Sequence, residues 1–268
     1  DVVNVLEIRK LKDGTLIQNV NIPIGTISSR HGERKYSELF FSMMSFLNPF
    51  VIYQIDLKNS FEPKVIQQGS LKNFDPSQFI TEQVFFKSKD GTRIPMFITK
   101  RKNISLDGSN PCFLYGYGGF NISIRPHFAL TKLMAIEKLN AVYAVVNMRG
   151  GGEYGDKWHD GGRLLNRQNS FDDFIGAAEY LISQKYTSSD KLIIEGGSQG
   201  GMMVAACTNQ RPDLFGCTIA HVGVMDMLRF HKFTIGHAWM SDYGNPDEEI
   251  HFKNVYKFSP LHNVPKEA

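Results

Sequence analysis

The spacing of apolar residues divides the chain into a first part rich in short strands and a second part in which strands and helices alternate. In residues 1–71, short apolar runs are separated by turn signals such as Lys12-Asp13-Gly14-Thr15 and Asn48-Pro49, which is typical of antiparallel β-structure. Strands are expected at 2–8, 39–44, 51–56 and 65–67. A propeller blade repeats every ~40–50 residues, so this stretch corresponds to about one and a half blades.

After a short linker at 74–77, the second part begins with a β-hairpin. Asp90-Gly91 lies between two apolar runs, which is a strong hairpin signal. Further strands are expected at 112–116, 141–147, 191–195 and 217–223, and helices near 126–138, 170–185 and 200–210. This alternation predicts an α/β fold with a mostly parallel sheet and crossover helices. We therefore expect an all-β domain over 1–71 and an α/β domain over 72–268.

The helix expected at 170–185 has a start signal and an apolar face. Ser170 is a candidate N-cap, and Asp173 follows three residues later, as in a capping box. Its apolar residues fall on one stripe, which is expected to face the core: Phe171, Phe174, Ile175, Ala178, Leu181 and Ile182.

The most informative motif is Gly196-Gly197-Ser198-Gln199-Gly200-Gly201, which follows the apolar run 192–194 and precedes a helix-like stretch. Glycines two positions before and after Ser198 permit a tight turn, because a side chain at either position would clash with a neighbouring strand or helix. This pattern predicts the nucleophile elbow of an α/β-hydrolase fold. The helix start directs backbone N–H groups toward a developing oxyanion. The alternative is a glycine-rich turn with an incidental serine.

A second glycine-rich strand end, Tyr115-Gly116-Tyr117-Gly118-Gly119-Phe120, is a candidate for the other half of an oxyanion hole. In this fold the second donor comes from the loop after an earlier strand. Here that loop carries Tyr117, whose phenol can donate to the oxyanion. The alternative is a plain turn with a packing tyrosine.

Two other patterns predict no cofactor or metal. Gly150-x-Gly152-x-x-Gly155 has the spacing of a dinucleotide fingerprint, but the residues at 158–162 are not expected to continue it as a helix. We interpret this stretch as a surface loop, and we expect no cofactor. His231 and His237 miss the i, i+4 spacing of zinc-binding helices, so no metal site is expected.

Composition and charge exclude several classes. The net charge of +3 is spread along the chain without a basic face, which argues against nucleic acid as a partner. No apolar run has the length of a membrane span, and no signal peptide is evident, so no membrane association is expected. Three cysteines are too few for a disulfide framework and favour a reducing, cytoplasmic location.

The glycine-rich motifs occur in order with four further stretches: Arg149–Gly155, Asn209–Phe215, Val222–Met227 and Gly236–Trp239. Together they resemble the prolyl oligopeptidase family, serine peptidases that combine a β-propeller with an α/β-hydrolase domain. The resemblance covers 72–268 and extends to 1–71 as the last blades of the propeller. It implies a monomeric enzyme, when complete, that hydrolyses short proline-containing peptides on the carboxyl side of proline.

The resemblance also implies roles for individual residues. Ser198 would be the acyl-forming nucleophile, and the Tyr117 hydroxyl and Gln199 backbone N–H would hold the oxyanion. The pocket for the proline ring would be lined by Trp239, Phe120, Val224 and Tyr243. Gln199 departs from the asparagine expected there, and the effect should be mild because the donor is the backbone N–H.

A serine nucleophile needs a base and an orienting carboxylate, which follow the serine in chain order in this fold. No further strand run follows 217–223, so five candidates lack the strand ends that would present them: Asp226, Asp242, His231, His237 and His262. We expect the acid and histidine of the triad to be absent from this chain. They would lie beyond Ala268, in a protein that is truncated here at both ends. Residues 1–268 alone are then expected to be inactive.

Two alternatives to the peptidase remain open. The chain could be a catalytically inactive hydrolase-like domain that acts as a binding or interaction module. It could also be a carboxylesterase or lipase built on the same elbow, although Trp239 and the propeller-like segment argue against that reading.

Overall fold

Short antiparallel strands build the first part of the chain in the computed structural model, which describes residues 2–266. Strands β1 (Leu6–Arg9) and β2 (Leu16–Val20) form a pair. A four-stranded antiparallel sheet follows in the order β3-β4-β5-β6, with these bounds: β3 Thr26–His31, β4 Glu38–Met44, β5 Val51–Asp56 and β6 Ser60–Gln68. The expected all-β character of this part is confirmed.

Alternation along β4 explains how this sheet forms a core. Phe41 and Met43 point to the same face because successive side chains of a strand alternate, and both are buried. They pack in one cluster with Val20 and Ile55. The expected strand at 2–8 is shorter than predicted and starts at Leu6, and β2 and β3 were missed because most of their residues are exposed and many are polar.

A six-stranded sheet organises the second part, in the order β12-β11-β9-β10-β8-β7. Its strands are β7 Phe79–Lys87, β8 Arg93–Arg101, β9 Cys112–Tyr115, β10 Val142–Val146, β11 Leu192–Gly197 and β12 Cys217–His221. Strands β9 to β12 run parallel in this sheet, and β8 is antiparallel to β10. All five residues of β10 are buried, as expected of a parallel strand covered on both faces.

Helices accompany this sheet. Their bounds are α1 Leu130–Lys138, α2 Asp156–Asp160, α3 Gln168–Ser183, α4 Gln199–Gln210, α5 Met240–Tyr243 and α6 Glu249–Tyr256. The buried faces of α3 and α4 share one apolar core with the strands, in which Phe174 and Met203 are fully buried. The expected α/β architecture with a mostly parallel sheet is therefore confirmed.

The described residues divide into two units, one of 82–124 and 136–266 and the other of 2–81 and 125–135. Ala268, the expected end of the second domain, lies outside the described residues.

Among the described helices, none combines the length and apolar character of a membrane span. The three cysteines are unpaired: Cys112 and Cys207 are buried, and Cys217 is exposed.

The start of α3 differs from its prediction. The helix begins at Gln168, so Ser170 lies inside it, and the Ser170 hydroxyl donates to the Arg149 carbonyl at 2.6 Å. Asp173 does not close a capping box; its carboxylate pairs with the Arg149 guanidinium at 2.7 Å. A capping pattern in a sequence describes bonds between neighbouring residues only. Here both side chains bond to Arg149, which belongs to another segment.

The glycine-rich stretch at 150–155 also differs from the expected surface loop. The short helix α2 begins directly after Gly155, where no helix was expected. Arg149 is only 7% exposed, and Gly150 adopts a positive φ of 94° close to the Gly118 carbonyl. The glycines therefore permit close backbone packing beside the strand end that carries Tyr117.

Candidate active site

Ser198 lies at the turn between β11 and α4, at the carboxyl end of a strand that has a parallel neighbour on each side. Its φ of 55° and ψ of −115° are unusual for a residue with a side chain, and strained backbone of this kind occurs at functional sites. The Ser198 N–H donates to the His221 carbonyl at 2.8 Å, and its own carbonyl accepts from Met202 N–H at 3.1 Å. These bonds fix the turn while the Ser198 side chain remains exposed.

The glycines on either side of Ser198 meet the expected steric limits. A Cβ at Gly196 would lie 2.3 Å from the Gly200 carbonyl oxygen, which is far inside van der Waals contact. A Cβ at Gly200 would lie 2.6 Å from the carbonyl oxygen of Gly116, at the end of β9. The strand, the elbow and the neighbouring loop can therefore approach only because both positions lack a side chain.

Tyr117 follows β9 and reaches the elbow. Tyr117 and Ser198 line the same cavity, and the Ser198 side chain lowers the pKa of the Tyr117 phenol. Burial acts in the opposite direction and more strongly, so the pKa of this phenol is raised. A tyrosine whose pKa lies above its usual range stays protonated at neutral pH and can donate to an oxygen that gains negative charge.

Gln199 is the first residue of α4, so its backbone N–H has no acceptor within the helix. The turn that presents Ser198 also sets the orientation of this N–H. The residue is 1% exposed, and its side chain points into the interior, where it bonds to Tyr243 and to the Gly118 carbonyl. The N–H and the side chain of Gln199 thus face different surroundings.

A cavity of about 220 Å³ opens beside Ser198. The structure brings together every residue that the sequence suggested for a proline pocket, and the cavity is lined by Tyr117, Phe120, Ile122, Ser198, Val224, Trp239 and Tyr243. Phe120 and Tyr243 meet edge to face, with ring centroids 5.5 Å apart. Ile122 was not anticipated, because it follows the glycine-rich motif and belongs to none of the quoted stretches.

A larger groove of about 860 Å³ lies against α3 and the 86–89 segment. It contains neither Ser198 nor Tyr117, and charged side chains of both signs border it, including Lys87, Asp172 and Arg211. The size of a cavity alone therefore does not locate the candidate site. The site is identified by the elbow and by the phenol that lies beside it.

Of the three histidines considered for a base, His231 and His262 lie beside other polar groups, and His237 is exposed. His159 Nε2 lies 2.7 Å from Asp242, and His262 Nδ1 lies 2.7 Å from the Ser259 hydroxyl. His231 Nε2 lies 3.1 Å from Asp247. In the part of the chain that the structure describes, no histidine is bonded to the Ser198 hydroxyl. The same residues contain no group of three or more His, Cys, Asp or Glu side chains that could hold a metal ion.

Asp242 lies beside His159, but in the described residues that histidine is not bonded to the Ser198 hydroxyl, so the pair does not complete a triad with this serine. Asp242 lies on α5, is 1% exposed, and accepts a hydrogen bond from the fully buried Arg167 guanidinium. Its other oxygen accepts the Phe120 backbone N–H at 3.3 Å. Arg167 was not anticipated as a site residue, because an arginine just before a helix carries no recognisable motif.

A serine at a strained elbow after a parallel strand, with a tyrosine beside it in the same cavity, is the arrangement of the α/β-hydrolase fold. Comparison with known proteins narrows this class. The model of the prolyl oligopeptidase family matches residues 126–268, and the model of its N-terminal β-propeller domain matches residues 1–68. The chain belongs to the prolyl oligopeptidase family.

Named relatives agree with this assignment. The chain is 43% identical over 258 residues to prolyl endopeptidase of Dictyostelium discoideum, covering 96% of this chain and 34% of that protein. It is 45% identical over 239 residues to prolyl oligopeptidase A of Galerina marginata, covering 88% and 32%. The chain thus spans about a third of the length of the curated relatives it matches.

Solved structures show the same fold. A structure from a mechanistic study of two prolyl endopeptidases aligns with a TM-score of 0.92 at 42% identity, covering all of this chain and 39% of that one. A post-proline cleaving enzyme from Rickettsia typhi aligns with a TM-score of 0.84 at 32% identity, covering 98% and 38%.

Proposed function

We propose that the complete protein is a serine peptidase that cleaves short peptides on the carboxyl side of proline, through an acyl-enzyme on Ser198. One observation carries this proposal: the exposed Ser198 hydroxyl lies at the mouth of an aromatic cavity and beside a phenol placed to donate to an oxyanion. The names of the relatives, prolyl endopeptidase and prolyl oligopeptidase, favour the same reaction.

The reaction would proceed by acyl transfer. The Ser198 oxygen attacks the scissile carbonyl carbon, and a general base takes the hydroxyl proton. The carbonyl oxygen becomes an oxyanion that accepts hydrogen bonds from the Tyr117 hydroxyl and the Gln199 backbone N–H. The intermediate collapses as the amide C–N bond breaks and the leaving amine takes the proton. Water then attacks the ester carbonyl while the base takes its proton. The ester C–O bond breaks, and the Ser198 oxygen leaves and regains a proton from the base.

The cavity has the chemistry to select proline. The Trp239 indole offers a flat apolar face on which a pyrrolidine ring can stack, and Phe120 and Val224 add apolar walls. None of these three side chains can neutralise a charged substrate side chain. A cavity of about 220 Å³ fits one small ring. We therefore assign it to the residue that precedes the cleaved bond.

We propose that the general base and its carboxylate partner come from parts of the protein outside residues 1–268. Supporting this, His159, His231 and His262 each have another polar partner, and Asp242 is held by Arg167. A reducing compartment such as the cytoplasm is proposed for the protein, because an exposed unpaired Cys217 suits such surroundings.

Labelling with a fluorophosphonate tests the nucleophile directly. Such a probe phosphonylates an activated serine with loss of fluoride, so treatment of the complete protein is expected to leave one adduct on Ser198. Peptide mass spectrometry locates it, and heat-denatured protein serves as the control that should remain unlabelled. An adduct on another residue, or none, would overturn the assignment of Ser198. Cleavage of a Gly-Pro reporter, measured in parallel, tests the peptidase activity itself.

Replacing Trp239 with alanine tests the specificity pocket. An aromatic contact contributes ~0.5–1.5 kcal/mol beyond the area it buries, and the loss of that buried area adds to it, so kcat/KM for a proline reporter is expected to fall at least about tenfold. A reporter with alanine before the cleaved bond should lose much less, because alanine has no ring to stack. The ratio of the two kcat/KM values is the measurement.

The second tryptophan provides a matched control for that variant. Trp158 is half-buried and donates to the Met148 carbonyl at 3.1 Å, but it does not line the cavity. Trp158→Ala is expected to lower thermal stability without changing the ratio for proline over alanine. An unchanged ratio in Trp239→Ala would place the proline pocket elsewhere.

A further inference from the structure

Four buried polar side chains form one network behind the aromatic cavity: Arg167, Gln199, Asp242 and Tyr243, each at most 1% exposed. The Arg167 guanidinium donates to one carboxylate oxygen of Asp242, and the Tyr243 hydroxyl donates to the carboxamide oxygen of Gln199. Buried ion pairs contribute little net stability compared with apolar packing. The cost of burying this one therefore calls for a role other than stabilising the core.

The network is bonded to the 116–122 loop, which carries Tyr117, at two points. The Gly118 carbonyl accepts hydrogen bonds from Arg167 Nη1 at 2.7 Å and from Gln199 Nε2 at 3.3 Å. Asp242 Oδ1 accepts the Phe120 N–H at 3.3 Å. The loop is therefore held on both sides of residue 119 by side chains from three separate segments.

The loop backbone has an unusual conformation that needs such support. Gly118 has a φ of 62°, and Phe120 and Asn121 both have a φ of 56°. A bulky residue such as phenylalanine rarely adopts positive φ, and it does so only where the surroundings impose it. The loop is also bonded at Asn121, whose N–H donates to the Gly150 carbonyl at 3.2 Å. The side-chain bonds at Gly118 and Phe120 lie nearer to Tyr117, so their loss is expected to shift its hydroxyl.

We propose that Arg167, Asp242 and Gln199 are positioning residues for acyl transfer, which hold the 116–122 loop so that the Tyr117 hydroxyl faces the oxyanion formed at Ser198. This inference rests on the proposed function. The three side chains act through Gly118 and Phe120. Gln199 then has two roles, because its backbone N–H serves the oxyanion and its carboxamide fixes the loop.

The same network reaches the pocket wall. Tyr243 lines the cavity, and its hydroxyl is held by Gln199. The Arg167 guanidinium lies 5.1 Å from the centroid of the Tyr243 ring, and Tyr243 in turn contacts the Phe120 ring. Gln199 holds this wall through the Tyr243 hydroxyl, whereas Asp242 holds the loop through the Phe120 N–H, so Asp242→Asn disturbs the loop and leaves the bond at Tyr243 in place.

Two variants of the complete protein, Asp242→Asn and Arg167→Lys, test the positioning role. Each keeps the approximate size of its side chain but disturbs the bonds to Phe120 or Gly118. The measurements are kcat and KM for a Gly-Pro reporter and the affinities of two inhibitors. One inhibitor is a peptide ending in a proline aldehyde, which forms a tetrahedral adduct with Ser198. The other is the same peptide ending in pyrrolidine, which fills the pocket but forms no adduct.

A positioning role predicts a selective loss. Because only the adduct uses the oxyanion donors, aldehyde affinity and kcat are expected to fall at least about tenfold, while pyrrolidine affinity and KM change by less than about threefold. A purely structural role would reduce the amount of folded protein and leave the ratio of the two inhibitor affinities unchanged. An unchanged ratio in the folded variants overturns the inference.

The control is Asp173→Asn, which disturbs the other buried ion pair of this unit, between Arg149 and Asp173 at 2.7 Å. It should lower thermal stability and keep the inhibitor ratio of the parent protein. If Asp242→Asn and Arg167→Lys do not accumulate as folded proteins, Gln199→Met is used for the test. This variant removes the carboxamide but leaves no charged side chain without its partner. Failure of the proposed function is distinguishable, since the parent protein would then neither cleave after proline nor form the aldehyde adduct.

Discussion

Replacing Ser198 with alanine in the complete protein is expected to lower kcat for a proline reporter by on the order of 10⁶-fold. The hydroxyl is the only group of the elbow that can form the acyl bond, and Tyr117 and the Gln199 N–H cannot replace it. Substrate binding should change little, because the cavity walls remain. The measurement is steady-state kinetics, with the binding of a pyrrolidine-ended peptide as a check on the pocket.

Ser183→Ala is the matched control for that variant. Ser183 is exposed near the end of α3, and its hydroxyl donates only to the Tyr180 carbonyl at 2.9 Å. Its replacement removes one hydroxyl from the same unit and should leave kcat unchanged. If Ser198→Ala retained more than a few per cent of the parent activity, another nucleophile would have to carry the reaction.

A polypeptide restricted to residues 1–268 is expected to show no measurable turnover of the same reporter. Ser198 without a base remains a weak nucleophile at neutral pH, and His159, His221 and His262 lie beside Asp242, Glu195 and Ser259 respectively. Oxyanion donors and binding alone leave a residual rate of only ~10³–10⁴ over water in hydrolases that lack triad members. The complete protein, assayed at equal concentration, is the positive control.

Solubility has to be controlled in that experiment. Strand β12 is the last strand of the sheet order in the described residues, and all five of its residues are half-exposed or exposed. An edge strand of this kind can pair with other chains, so poor solubility of the isolated polypeptide is expected. A soluble fusion partner and circular dichroism establish that folded protein is assayed. Activity comparable to that of the complete protein would mean that residues 199–268 contain a base.

The elbow and the pocket residues could be predicted because their signals are local or carried by a family resemblance. The spacing of Gly196, Ser198 and Gly200 reports a steric limit within one turn, and the structure shows the close contacts that impose it. Trp239 and Val224 were predicted to line the pocket only because of the family resemblance. A single tryptophan or valine in a sequence does not indicate a binding site. The structure places both beside Ser198.

The network around Arg167 could not be predicted. Arg167 and Asp242 are separated by 75 positions, and neither belongs to a pattern of spacing or periodicity. Asp242 was considered only as an acid for a triad, because a carboxylate after a hydrolase serine suggests that role. Its fixed pairing with a buried arginine is a tertiary contact. Sequence periodicity describes one element at a time and gives no information on such a contact.

The elbow also constrains how the site can move. The first residues of α4, including Gln199 and Met202, are buried, and a Cβ at Gly196 would lie only 2.3 Å from the Gly200 carbonyl oxygen. Ser198 therefore cannot retract or swing outward unless α4 separates from the sheet, which would open the core. Loop movements at the site are therefore confined to the residues around the mouth of the cavity. Any switching of the protein between open and closed states must then act on access to Ser198 and leave the position of Ser198 itself unchanged.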